Sequence, residues 1–178
     1  HRVDRRQRQM CIRDRCNTAF VEMSEQLGAD ELRKYAKAFG VGENYDLGVS
    51  TSAGTLGDLP DGAATAQSAI GQRDVTMTAL QAAVMAGTVA NKGTRMQPYL
   101  VNRITDAQMK DVRTTKPKKA DQAVNEETAA TLTDLMYASE RSSAGYDGNG
   151  FASKTGTAEH GEGLAPHVWY VALSLIHI

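Results

Sequence analysis

The chain is poor in cysteine, proline and aromatic side chains: two Cys, four Pro and 6% aromatics in 178 residues. Cys11 and Cys16 lie five apart and could close only a small loop, which excludes a disulfide-stapled scaffold. No apolar run approaches the ~20 residues of a membrane-spanning helix. The longest, 168–176, is interrupted by Ser174. The arginine-rich start is followed by no apolar stretch of the signal-peptide kind. What is present is ordinary globular usage, 41% hydrophobic and 23% charged, enough for one domain with its own core.

The net charge of −1 hides an asymmetry. Residues 1–15 hold six arginines against two aspartates, a net of +4, so the rest of the chain is acidic at −5. A basic arm can bind nucleic acid. This one has no periodicity and no aromatic to stack on a base, so no nucleic-acid partner is expected. Residues 1–15 and 174–178 are read as non-native extensions flanking a partial domain at 16–173, and fold reasoning excludes them.

Apolar residues at Ala19, Phe20, Met23 and Leu27 recur at helical spacing, and Gly28 stands where a helix ends. Asp30 is expected to cap a second helix carrying Leu32, Tyr35, Ala36 and Phe39 on one face, stopped by Gly40. A loop rich in Gly, Ser and Thr is expected over 41–73, and its length points to function. Asp74 precedes an expected alanine-rich helix over 75–90, ended by Asn91-Lys92-Gly93. A strand follows at 99–105 and a charged hairpin or loop at 110–121. Asn125 caps a further helix with Glu126 and Glu127 in its first turn and a stripe of Leu132, Leu135 and Met136. Two strands close the pattern, 151–159 and 167–173. Their glycine-containing link of seven residues is too short for a parallel crossover, so they should pair antiparallel. The sum is an α+β fold with an antiparallel sheet and packed helices.

The segment richest in chemistry is Ser153-Lys154-Thr155-Gly156-Thr157-Ala158-Glu159. A Lys-Thr-Gly triplet alone carries little weight. Here it stands in a strand-like stretch, before a glycine turn and an aromatic strand, His167-Val168-Trp169-Tyr170. With Cys16-Asn17-Thr18-Ala19-Phe20, Ser68-Ala69-Ile70-Gly71-Gln72 and Ala90-Asn91-Lys92-Gly93 in the same order, it resembles the transpeptidase domain of penicillin-binding proteins. The likeness is greatest to the class B enzymes that cross-link peptidoglycan.

That resemblance implies a β-lactamase/transpeptidase-like fold and a serine D,D-transpeptidase acting on peptidoglycan stem peptides and inhibited by β-lactams. It implies an envelope location at the outer face of the cytoplasmic membrane, cell-division or elongation proteins as partners, and no cofactor. Lys154 and Thr155 would hold the substrate carboxylate. Gly156 would let a peptide lie along the strand, and the Thr157 N–H would serve the oxyanion hole. Asn17 would address the substrate carbonyl and the catalytic lysine.

Two departures stand out. The sequence contains no Ser-x-x-Lys, and Arg15 occupies the place where the Ser-x-Asn motif has serine. The chain as written is therefore expected not to acylate. A β-lactamase or D,D-carboxypeptidase of the same fold, or a non-catalytic penicillin-binding sensor, are the rival readings. His160 reads as a solvent-exposed turn residue and His167 as a structural one. With no Cys pair at ligand spacing, no metal site is expected. Of Trp169 and Tyr170, one is expected in the core and the other beneath the site edge.

Overall fold

A computed structural model describes residues 17–174 except Ala144, Glu159, His160 and Glu162. Helix α1, Asn17–Leu27, and helix α2, Ala29–Ala38, meet at one residue, Gly28. Its φ of 81° is left-handed backbone, where a side chain would be strained. Its N–H donates to the Ser24 carbonyl, closing α1, while its own carbonyl accepts from Leu32 and opens α2. The cap of α2 is thus Gly28 and not Asp30, which lies two residues further on, within the first turn, and pairs with Arg33 at 3.0 Å.

The 41–73 stretch is not all loop. Helix α3, Gly62–Ala69, forms within it and packs on α1. Asp61 caps α3 by accepting from Ala64 N at 2.7 Å. An isolated antiparallel bridge joins Thr55, near the middle of the 41–73 stretch, to Thr76 just beyond it. Helix α4 is Ala79–Ala90, four residues shorter at its start than the alanine pattern implied. Thr78 and Gln81 form a reciprocal capping box, so the helix begins there and not after Asp74.

After α4 come β1, Thr94–Met96; β2, Arg103–Thr105; β3, Asp111–Thr114; and β4, Lys119–Gln122. The expected strand at 99–105 shrinks to three residues. The charged 110–121 stretch is two strands with different partners: β1 pairs β4, and β2 pairs β3, all antiparallel. Helix α5, Glu126–Arg141, starts as expected at Asn125, whose side chain accepts from Thr128 N at 2.7 Å. Strands β5, Ala152–Ala158, and β6, His167–Leu173, pair antiparallel in a continuous register. The α+β architecture is therefore present, with its strands in three two-stranded sheets among the described residues.

The core that positions the last hairpin is Val89 of α4, Ala152 of β5 and Leu173 of β6. Phe39, Ala90, Leu132, Met136 and Tyr137 pack against them. Helices α4 and α5 thus hold the start of β5 and the end of β6, and the hairpin projects from that anchor.

Candidate active site

Cross-strand neighbours in an antiparallel pair share a face. Opposite Lys154 stands Val171, opposite Thr155 Tyr170, opposite Gly156 Trp169, and opposite Thr157 Val168. Ala152 and Ser153, on opposite faces, are 0% and 1% exposed, so the first residues of β5 are covered on both sides. From Lys154 onward the strand emerges. Lys154, Gly156 and Thr157 are exposed, Thr155 half-buried. Lys154 Nζ donates to the Thr155 carbonyl at 2.6 Å. Thr155 Oγ1 is buried with no hydrogen-bond partner among the described residues. A Cβ built on Gly156 would meet only Trp169 Cβ, at 3.6 Å, so the surrounding structure does not demand glycine there.

Among the described residues β5 pairs only with β6, which leaves its other edge without a strand. One group of that region is already engaged: Gln72 Nε2 donates to the Thr157 carbonyl at 3.4 Å, bringing the segment after α3 to the strand. A surface cavity of about 350 Å3 lies elsewhere, between Lys34, Lys37 and Arg95, and draws no lining from β5 or β6. Among the described residues the β5 side of the site is an open strand edge.

Asn17 opens α1 and is exposed, and no hydrogen bond among the described residues ties it to β5. Lys154, Thr155, Gly156 and Thr157 are consecutive on β5, and Asn17 belongs to a different element, the first turn of α1. Trp169 is half-buried and Tyr170 largely exposed, so neither is a core residue; Tyr170 instead reaches Glu140 through its hydroxyl. His167 opens β6. Cys16, Glu159 and His160, and the arm with Met10, Ile12 and Arg15, lie outside the described residues. Among the described residues no cluster of three His, Cys, Asp or Glu is placed to hold a metal.

The sequence reading missed Glu140, and it named Gln72 only within the Ser68–Gln72 stretch, without its bond to Thr157. Glu140 is 5% exposed and accepts from both Ser153 Oγ and Tyr170 Oη, the latter at 3.0 Å. A signal was present. Ala129, Thr133, Met136 and Glu140 continue one stripe at spacings of three and four, which puts a carboxylate on the core-facing side of α5.

A family model, Penicillin binding protein transpeptidase domain, matches residues 7–174. The chain belongs to the penicillin-binding protein transpeptidase domain family. Among relatives of this family, peptidoglycan D,D-transpeptidase PbpA of Mycolicibacterium smegmatis is 43% identical over 166 residues, 89% of this chain and 34% of that protein. PbpA of Mycobacterium tuberculosis is 40% identical over the same length. The chain thus spans about a third of the curated relatives it matches. The crystal structure of PBPA from Mycobacterium tuberculosis superposes with a TM-score of 0.89 at 38% identity, covering 95% of this chain and 40% of that one. The same protein as its penicillin G acyl-enzyme complex matches with a TM-score of 0.89. The transpeptidase-like fold implied by the four ordered stretches, from Cys16-Asn17 to Lys154-Thr155-Gly156, is the fold observed.

Proposed function

We propose that this chain supplies the Lys-Thr-Gly side of a peptidoglycan D,D-transpeptidase active site within a longer, envelope-located enzyme. One observation carries the reading: β5 is anchored at Ala152 and Ser153 and then presents Lys154, Gly156 and Thr157 along an edge that no strand covers among the described residues. An open edge accepts an extended peptide as an added strand, with the main chain supplying affinity. In this reading Lys154 meets the terminal carboxylate of a stem peptide, or the carboxylate of a β-lactam, and the Thr155 hydroxyl, buried and without a partner among the described residues, is the donor that carboxylate recruits. Gly156 leaves the approach unobstructed, and the Thr157 N–H is one of two donors to the oxyanion of the tetrahedral intermediate. An oxyanion donor of this kind is usually worth ~3–4 kcal/mol in the transition state.

The chemistry is acyl transfer. A serine oxygen attacks the D-alanyl-D-alanine carbonyl and its proton goes to the departing D-alanine amine; the acyl group then passes from the serine ester to the amine of a second strand, whose proton returns to the freed serine oxygen. The serine and its lysine belong to a Ser-x-x-Lys that these 178 residues do not contain. The relatives' names and the acyl-enzyme complex of Mycobacterium tuberculosis PBPA support the assignment. Fluorescent penicillin tests it. The longer enzyme should label covalently, and the 178-residue chain alone should not. A longer enzyme that binds penicillin without acylation would replace this reading with a sensor.

A further inference from the structure

Glu140 lies in the last turn of α5, on a helix whose other buried polar residue, Thr133, is satisfied within the helix by the Ala129 carbonyl. Glu140 differs: its carboxylate turns to the hairpin. Oε2 accepts from Ser153 Oγ on β5 and from Tyr170 Oη on β6. Ser153 immediately precedes Lys154, and Tyr170 stands directly across from Thr155. One buried oxygen therefore grips both strands of the hairpin at the two positions that bracket the Lys154-Thr155 pair.

The residues around this oxygen make the grip specific. Ser153 is 1% exposed, so its hydroxyl has no water to turn to, and loss of the carboxylate would strand it. Tyr170 has a largely exposed ring, and its hydroxyl bond fixes an otherwise solvent-facing side chain. On the other face, Ala152 packs into the Val89 and Leu173 core and sets how deep the strand sits. A methyl group in an apolar contact resists withdrawal but fixes neither rotation nor sliding. The two hydroxyl bonds do, because hydrogen bonds weaken steeply with distance and angle.

We infer that Glu140 is a positioning residue of the site: through Ser153 and Tyr170 it fixes the twist and register at which β5 presents Lys154, Thr155 and the Thr157 N–H. This rests on the transpeptidase reading for its consequence in catalysis, but not for its consequence in the strand. A misplacement of about 1 Å at a catalytic group can cost ~100-fold in rate, so a carboxylate that never touches substrate acts on the acylation step.

In the longer enzyme, Glu140→Ala should lower the rate of acylation by fluorescent penicillin about tenfold, with non-covalent affinity changed less than threefold. Glu140→Gln keeps an oxygen able to accept both hydroxyls and should restore the rate to within threefold. Thr133→Ala, on the same helix face, lowers the melting temperature while leaving acylation within twofold. Equal losses in Glu140→Ala and Thr133→Ala at matched melting temperature would overturn the inference, as would failure of Glu140→Gln to rescue. A second readout is independent of catalysis. Amide hydrogen exchange at 154–157 in the 178-residue chain should rise at least tenfold in Glu140→Ala and not in Glu140→Gln. If the wild-type enzyme fails to label but this exchange difference holds, the transpeptidase reading falls and the positioning role stands. If exchange at 154–157 is unchanged, the positioning role falls whatever the labelling.

Discussion

Two antiparallel ribbons of this chain, β2–β3 and β5–β6, have the same backbone pairing and opposite surroundings. The first packs extensively only on itself among the described residues, and carries Met109 at 71% and Val112 at 67% exposed. Its Arg103 and Asp111 pair at 3.5 Å, both half in water, a contact of the kind worth little in isolation. The second packs against α4 and α5, with the first two residues of β5 sealed and a buried carboxylate joining its strands. A two-stranded ribbon is marginal by itself in water. Pairing is therefore not what makes β5 a rigid platform. Helices on its flank do that, and they do it at one end only, so the same strand is fixed where it enters and accessible where chemistry is expected.

The largest effect should separate the ribbons by function. Lys154→Ala in the longer enzyme removes a charge-assisted hydrogen bond worth ~1.5–3 kcal/mol, and penicillin acylation should fall roughly ten- to hundredfold. Met109→Ser with Val112→Ser should leave it within twofold. Loss of labelling in the β2–β3 variant would break the comparison.

Gly156→Val sharpens it differently. A Cβ there finds only Trp169 Cβ at 3.6 Å, so the folded chain should accommodate the substitution. Acylation should still drop by about tenfold or more, because the branched side chain fills the approach used by a peptide lying on the edge. A large loss of stability in urea unfolding would place the glycine requirement inside the fold, contrary to this reading.

Ala152→Leu probes the anchored end. Overpacking a filled core position costs ~1–3 kcal/mol, which urea unfolding of the 178-residue chain should register. The smallest effect belongs to the exposed ribbon: Val112→Ser should shift stability by no more than ~0.5 kcal/mol, the range of surface substitutions. A comparable cost at both positions would mean that β2–β3 is packed against something in solution.

Legibility in the sequence followed how local the deciding interaction is. The Gly28 end of α1 and the Asn125 cap were readable because each rests on residues a few positions apart, and the β5–β6 hairpin because a link of seven residues joins its strands. Helix α3 was not, since Gly62-Ala63-Ala64-Thr65-Ala66-Gln67-Ser68-Ala69 has no large apolar residue to mark a face. The start of α4 was misread because Asp74 and Thr78 are both capping types, and only the reciprocal bond with Gln81 decides between them. The β1–β4 pairing joins residues some 25 apart around the intervening ribbon, which no short pattern records. In the site, Lys154, Thr155, Gly156 and Thr157 were legible as a motif. Asn17 was grouped with them by motif order, and the described contacts do not join it to them. Glu140 was hidden because a glutamate near a helix end reads as a solvated charge until its stripe is traced.

Gln81 does more than complete a capping box. It is 1% exposed, and its amide nitrogen donates to the carbonyls of Gly40, Glu43 and Ala53, partners 41, 38 and 28 residues earlier in the chain. The helix start is thereby one side of a closed ring whose other side is the long glycine-rich segment. Closing such a ring is an entropic cost that grows slowly, about 0.6 kcal/mol for each doubling of its length. The stretch at 46–50, exposed except for half-buried Leu47, lies within that ring between its closing bonds. Insertions there should be absorbed cheaply in evolution, while Gly54 cannot drift: a Cβ on it would come within 2.5 Å of the Thr76 carbonyl and 2.7 Å of Gln81 Oε1. Length is free to vary in one half of the ring, and composition is locked in the other.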